Sequence, residues 1–512
     1  MNSFDCVVIG AGNGGLIASL RLAKSGKKVL LVERHILPGG FATSFSRGRF
    51  NFEASLHELC DFGHEENHGN LYTLFKELDL LDKIEFVDVP EAFRVISLSN
   101  KEDDYVMPFG IENFINKMEE YVPNSRKSMT TFFELGKEIQ DAMRYLNEAK
   151  GHPDSKVLMK KYPNFMRVAS YNVDPVLNAI KMPKKAQDIL NTYRSYLGAP
   201  SSKLGFIHYC IMVYLYVSLK AQIPTKRSHN ISMTIADEII KNGGTIYYGR
   251  EVDEILIDKD KNEVKGVVLD DGTIINTKHV ISNASPHSVY GHMIKDTNLI
   301  PKKALQRANF STLSGRGFSL FLGLNKSKEE LGLKEYSYFI YNSLDSNKEF
   351  ESMHNINNSS QVVVCLNNAL PDASLKGTTI LYFTSLFFGD CFDKALTKEN
   401  YFELKDKLAK NFIKTFEKAT GVEITPYIEE IEVATPLTYA HYTDSPDGTI
   451  YGYLTADLDN MMPRLMRMYN EDYINGLKFC GGHAMRSSGY NSSYLSGDLA
   501  AKFTLGDLKK DN

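Results

Sequence analysis

Tryptophan is absent from this chain of 512 residues, and cysteine is scarce. The lack of tryptophan carries no functional reading. The six cysteines (Cys6, Cys60, Cys210, Cys365, Cys391 and Cys480) are scattered, with no C-x-x-C pair. That scatter argues against a metal site or a disulfide framework and fits a reducing compartment. An excess of one charge is also missing: the net charge of −4 gives no reason to expect nucleic acid as a partner. Long apolar runs are missing too. The longest, Phe206 to Leu219, has 14 residues and contains His208, too short to cross a bilayer although it could lie in a membrane surface. No leader is expected, because an apolar strand begins at Cys6. There is no G-x-S-x-G elbow, no H-E-x-x-H, no second nucleotide fold, and no repeat, low-complexity tract or clear linker. Hydrophobic content of 43% and charged content of 24% are those of a globular protein. The length suits two or three domains of roughly 150 residues each, interleaved because no linker separates them.

What is present is concentrated in the first forty residues. Cys6 to Ile9 reads as a buried parallel strand. It ends in Gly10-Ala-Gly-Asn-Gly-Gly15, which has G-x-G-x-x-G spacing at Gly10, Gly12 and Gly15. A helical segment with Leu16, Leu20, Leu22 and Ala23 apolar closes at Gly26, and a second apolar run, Val29 to Val32, ends on Glu33. Gly10 permits the tight turn, Gly12 lets backbone approach a pyrophosphate, and Gly15 lets helix and strand pack closely. Asn13 and Gly14 complete the loop, and the helix N-terminus offers unpaired N–H groups to phosphate. Glu33 stands where a carboxylate would accept hydrogen bonds from a ribose diol, which argues against a 2′-phosphate. The expected ligand is a dinucleotide.

Residues 65–200 read as mainly helical. Leu71, Leu74, Phe75 and Leu78, and again Phe132, Leu135, Ile139 and Met143, fall on one helical face. Phe206 to Leu219 is apolar nearly all round, so it is either a core helix or a lipid-facing one. Its Tyr209 and Tyr214 are candidates to line a substrate tunnel. Lys226 and Arg227 read as solvated surface charge or, through Arg227, as a site for an anionic head group. Strands follow at Thr245 to Tyr248, Val252 to Ile257 and Val264 to Leu269. Asp271-Gly272 then signals a type I′ hairpin, followed by Thr273 to Ile275 and Val280 to Asn283. Phe318 to Leu324, Gln361 to Leu366 and Thr379 to Thr384 have β character, and Tyr401 to Ala419 reads as an amphipathic helix. The methionines between Met461 and Met468 suit either ordinary packing or an adaptable lipid tunnel.

After the ribose acid come Pro38-Gly39-Gly40, an aromatic–x–aromatic strand at Phe50 and Phe52, and Ser55-Leu-His57. From Val7 to His57 the chain resembles the N-terminus of the phytoene desaturase, carotenoid isomerase and retinol saturase group of FAD-dependent enzymes. His57 is most similar to the saturase and isomerase branch. Tyr196-x-Gly-x-Pro200, Thr435-Pro-x-Thr438 with the turn through Gly452, and the closing segment Gly476 to Gly497 extend the likeness. The resemblance implies FAD rather than NAD and the architecture of glutathione-reductase-like flavoproteins. That is an α/β fold in which a Rossmann-like FAD-binding domain (1–95, 226–290 and 431–512) is interleaved with an α+β substrate domain (96–225 and 291–430). The substrate domain is expected to carry an antiparallel sheet and a helical lid.

By the same resemblance Arg34, Gly39, Gly40 and Phe41 lie near the cofactor, and Val252 meets the adenine through its backbone. Gly481, Gly482 and His483 fall at the ribityl and phosphate end, while Gly489, Tyr490 and Asn491 fall beside the isoalloxazine. Backbone N–H groups there would favour negative charge on reduced flavin. Phe41, Lys226-Arg227, His483 and Asn491 depart from the family's pattern. His57 and Tyr490 are the candidate catalytic groups, as proton donors or positioning residues, and no metal is expected.

The expected function is desaturation, saturation or cis–trans isomerisation at carbon–carbon bonds of a long apolar polyene, isoprenoid or lipid, the cofactor carrying the redox chemistry. An amine- or amino-acid-oxidising enzyme of the same fold is one alternative, and a non-catalytic flavin- or lipid-binding protein is another. The expected setting is cytoplasmic, with peripheral contact at the inner face of a membrane left open, as is the oligomeric state.

Overall fold

The computed structural model describes residues 3–149, 153–460, 463–464, 472–484 and 489–510. Most of the methionine-rich stretch, including Met461, Met462, Met466 and Met468, lies outside the described residues, as do 485–488 of the closing segment.

The glycine loop sits at the centre of a five-stranded parallel sheet. Its order is Thr245–Tyr248, β2 (Val29–Glu33), β1 (Cys6–Ile9), Val280–Ser282 and Leu477–Phe479. Three distant parts of the chain thus meet in one sheet. All four residues of β1 are buried, because helices cover one face and a β-meander covers the other. On the helical face α1 (Asn13–Lys24) packs against the helices Arg227–Lys241 and Tyr490–Leu508. Gly26, at φ +73°, ends α1 in a Schellman turn: its N–H bonds Ala23 O and the Lys27 N–H bonds Leu22 O.

The meander comprises Val252–Asp258, Glu263–Leu269 and Ile274–Asn276. The hairpin stands where Asp271-Gly272 signalled it, but its turn differs from the type I′ expectation. Only Gly272 has a positive φ, +81°, whereas type I′ needs two such residues. Asp271 instead uses its carboxylate to accept from the Thr273 N–H at 2.9 Å.

A second sheet of seven strands runs Ile428–Ala434, Arg316–Leu324, Thr379–Phe387, Gln361–Cys365, Ser337–Tyr341, Phe93–Ser97 and Asp104–Met107. It is antiparallel except where Ser337–Tyr341 lies parallel to Phe93–Ser97. Two corrections follow. The helical reading of 65–200 fails between 86 and 107, which supplies three strands. The boundaries drawn at 95/96 and 430/431 each cut a strand of this sheet. Along Arg316–Leu324 the side chains alternate between faces. Phe318, Leu320 and Leu322 pack toward the helix Tyr401–Thr420, and Phe321 packs toward the helical layer on the other side.

That layer contains Ile111–Tyr121, Arg126–Glu148 and Phe206–Leu219. In the last of these every residue but Ser218 is buried, so it is a core helix. Among the described residues no helix is long and apolar enough to cross a membrane.

Candidate functional site

One cavity of about 780 Å³ runs between the two sheets. At one end lie Gly10, Gly12, Asn13, Glu33, Arg34, Gly39, Gly40, Phe41 and Val252, joined by Gly481, Gly482, His483, Gly489, Tyr490 and Asn491. Gly14 and Gly15 stand behind them. A Cβ on Gly15 would lie 1.9 Å from Gly10 O, and one on Gly14 would lie 2.6 Å from Gly481 N. These two glycines therefore set the close approach of α1 to the sheet and the C-terminal segment, while Gly12 faces the cavity.

Two helix N-termini open on this end. Neither Gly12, the cap of α1, nor Gly489, the cap of Tyr490–Leu508, carries a side-chain cap. Each N-terminus carries a partial positive charge, and in α1 the Gly15 N–H donates to Asn283 Oδ1. Glu33 accepts from the Ala11 N–H at 2.6 Å and the His35 N–H at 2.8 Å, which holds its carboxylate at the rim of the loop. The Asn13 Oδ1 is buried without a protein partner. Uncapped glycine loops, a fixed carboxylate and an orphaned amide oxygen together fit a dinucleotide. Arg34 donates to His441 O at 2.7 Å and pairs with Asp444 at 3.6 Å. His483 lies edge-on to Tyr453, and burial pushes its pKa down to about 4, so the ring is neutral.

Phe41 and Tyr490 line the cavity next to one another. Phe41 stacks on Tyr439 with centroids 5.5 Å apart. The Tyr490 hydroxyl donates to Phe41 O at 2.9 Å and lies 2.9 Å from Ser55 Oγ; burial keeps it protonated. Asn491 donates to Asp61 at 3.3 Å. His57 Nε2 lies 3.0 Å from Thr384 Oγ1 while Nδ1 has no partner, and burial pushes the pKa to about 3. The run 55–58 is irregular, and two of its carbonyls are gripped from outside: Tyr382 of the seven-stranded sheet bonds Leu56 O, and Tyr336, just before the strand Ser337–Tyr341, bonds His57 O.

The part of the lining drawn from the helical layer is apolar, with Met143, Leu197, Ile211, Met212 and Leu215 beside Tyr196 and Tyr216. Here three expectations are corrected. Tyr209 turns away and donates to Leu190 O, and Tyr214 packs on Gly136; neither lines the cavity. The face of that helix turned to the cavity carries His208, Ile211, Met212 and Leu215 instead. Arg227 is neither a surface charge nor a substrate contact. It is buried, sits at φ +70°, and donates to Asn51 O and Ala373 O, tying the 50–53 strand to the substrate domain. Lys226 alone is exposed.

The sequence reading missed Asn283 and Glu58. Asn283 fills the space against Gly10, Gly12, Gly14 and Gly481, and accepts from the Gly15 N–H at 3.3 Å. Its signal was an amide ending a buried strand. Glu58 is a buried acid in the cavity wall, signalled by a charge next to His57 in an otherwise apolar run.

The profile of the NAD(P)-binding Rossmann-like domain matches residues 8–78. All-trans-retinol 13,14-reductase of Danio rerio is 26% identical over 495 residues, covering 91% of this chain and 79% of that protein. The chloroplastic prolycopene isomerase of Daucus carota is 24% identical over 530 residues, covering 99% and 80%. Those are the saturase and isomerase relatives that the motifs around His57 pointed to. A putrescine oxidase double mutant superposes with a TM-score of 0.66 over 99% of both chains at 12% identity, a likeness of fold alone.

Proposed function

We propose that this chain is an FAD-dependent enzyme that saturates or isomerises carbon–carbon double bonds in a long apolar polyene. The observation that carries the reading is one continuous cavity, dinucleotide-like at Gly12 and Glu33 and apolar at Ile211, Met212 and Leu215. A flavin bound there supplies two-electron redox chemistry. The chain's own residues do the rest. Gly12 and Gly489 present helix N-termini to the anionic parts of the cofactor, and Glu33 accepts from its ribose. The apolar wall orients the substrate and excludes water. The protonated Tyr490 phenol and the neutral His57 ring are groups in the cavity wall able to hold or pass a proton.

Access from a lipid surface suits such a substrate. The helix Arg126–Glu148 contributes Met143, Arg144 and Asn147 to the cavity. The short helices Ser155–Lys161 and Pro163–Val168 beside it expose Met159 and Met166, with Tyr171 just beyond, among Lys156, Lys160, Lys161 and Arg167. Apolar tips ringed by cations support peripheral contact with an anionic membrane face, in keeping with a cytoplasmic setting. The tyrosines Tyr196, Tyr216 and Tyr451 in the wall favour amine oxidation as the second reading.

The test is to purify the protein, record its visible spectrum, and incubate it with polyenes and amines under oxidising and reducing anaerobic conditions. Flavin absorbance with product formed from a polyene is expected. A protein that refuses FAD would sink the cofactor assignment, and turnover of amines alone would sink the substrate class.

A further inference from the structure

Glu58 lines the cavity, and the reading above leaves its chemistry unused. It is only 6% exposed. Its Oε1 accepts from the Tyr196 hydroxyl at 3.3 Å, and its buried Oε2 has no hydrogen-bond partner among the described residues. No lysine or arginine pairs with it among the described residues. The groups that act on it are aromatic or acidic: the Tyr193, Tyr216 and Tyr336 phenols, the Cys60 thiol and the carboxyl of Glu91. Burial and Glu91 both raise its pKa well above the carboxylate range, so the group is a neutral acid. A neutral carboxyl both donates and accepts. With only Tyr196 satisfying it, the remaining capacity is left unpaired at a cost of about 1–3 kcal/mol unless something bound in the cavity meets it.

We infer that Glu58 and Tyr196 form a polar anchor in the cavity, which selects a polyene bearing a neutral hydroxyl or carbonyl group over a bare hydrocarbon. The inference rests on the polyene reading and sharpens it. A hydroxyl both donates and accepts, matching the acid. A hydrocarbon leaves Glu58 unpaired. Tyr196 therefore does two things: it closes the wall with its ring against Tyr216, 5.7 Å between centroids, and it holds one oxygen of Glu58 while the other stays without a protein partner among the described residues. The alternative role, a buried acid that merely fixes Tyr196, predicts no discrimination between ligands.

The test uses three probes of one shape: all-trans-retinol, its 15-deoxy hydrocarbon and retinylamine. Their affinities for the flavin-loaded protein are measured by equilibrium dialysis. Retinol is expected to bind about tenfold more tightly than the hydrocarbon, the worth of one well-made hydrogen bond to a buried acid. Glu58→Leu should erase that preference, and Glu58→Gln, whose amide also donates and accepts, should keep most of it. A second measurement needs no leucine variant. The carboxylic acid C=O stretch lost in Glu58→Gln should shift on binding retinol and stay put on binding the hydrocarbon. Equal affinities in the wild type, or a preference that survives Glu58→Leu, would overturn the anchor while leaving the polyene reading intact. Tighter binding of retinylamine than of retinol would overturn it in favour of amine chemistry. Failure of all three to bind would remove both the polyene reading and the anchor.

Discussion

Placing one methyl group on Gly12 separates two jobs that the glycine loop performs together. The Cβ of Gly12→Ala would lie 2.5 Å from the Nδ2 of Asn283, about 0.9 Å short of ordinary contact at 3.4 Å. Backbone strain is not involved, since Gly12 has φ −72°, a conformation open to any residue. Asn283 must therefore move, and overpacking of this kind costs about 1–3 kcal/mol. The same methyl lies between Gly12 and Asn283, both of which line the cavity at the N-terminus of α1, where a pyrophosphate would seek the backbone N–H groups. A cofactor held about 1 Å further out loses the strength of those charged hydrogen bonds, about 1.5–3 kcal/mol, or roughly ten- to a hundredfold in affinity.

The double variant Gly12→Ala/Asn283→Ala removes the clash but not the methyl. Thermal unfolding of apoprotein and titration with FAD then read the two effects apart. Gly12→Ala should lower both Tm and affinity, and the double variant should recover part of the Tm but none of the affinity. Wild-type FAD affinity in Gly12→Ala would refute the placement of the pyrophosphate at this loop.

Three further outcomes are expected. Buried neutral histidines make the fold acid-labile: the pKa values of His57 and His208 are pushed to about 3 and that of His483 to about 4 by burial. The unfolded chain binds these protons near pH 6.5 and the folded one does not. Stability is therefore full above pH 6.5 and falls below it, by about 2 kcal/mol per histidine at pH 5. Tm against pH should show this limb, and His57→Gln should flatten it. Glu91 works with the opposite sign. Burial raises its pKa to about 7, so its contribution is full below the ordinary carboxylate range and is lost as pH rises through 7; Glu91→Gln should remove that neutral-pH decline. Arg227→Ala should lower stability by about 2–4 kcal/mol by freeing the buried carbonyls of Asn51 and Ala373. Arg227→Gly should be about 1 kcal/mol less damaging, because the backbone sits at φ +70°. Polyene affinity in the folded fraction should not change, and a selective loss of affinity would restore Arg227 as a substrate contact.

The elements legible in the sequence are those whose signal is local. The first strand, its glycine loop, α1 and the strand ending on Glu33 were readable because each needs particular residue types at fixed spacing. The meander and the long helix Tyr401–Thr420 were readable from period and length. Three things were not. The strands between 86 and 107 are short and flanked by helices, so a window dominated by helical periodicity absorbed them. The cavity-facing side of Phe206–Leu219 was unreadable because a helix apolar all round has no polar face to orient it, and Tyr209 and Tyr214 were guesses about direction. The turn at Asp271-Gly272 was read from two residues, while the backbone settled it with one positive φ and a carboxylate bond.

The dinucleotide end was thus determined by the sequence itself. Phosphate recognition of the kind proposed there would use backbone groups, and only glycines at those spacings leave the backbone bare. The substrate end was decided by tertiary structure alone. Glu58, Tyr196 and the apolar face of Phe206–Leu219 come from separate elements, and Arg227 is turned inward by a backbone conformation that its charge gave no reason to expect. Which side chains share that space, and which buried acid is left half-paired, depends on how two sheets and a helical layer close around it.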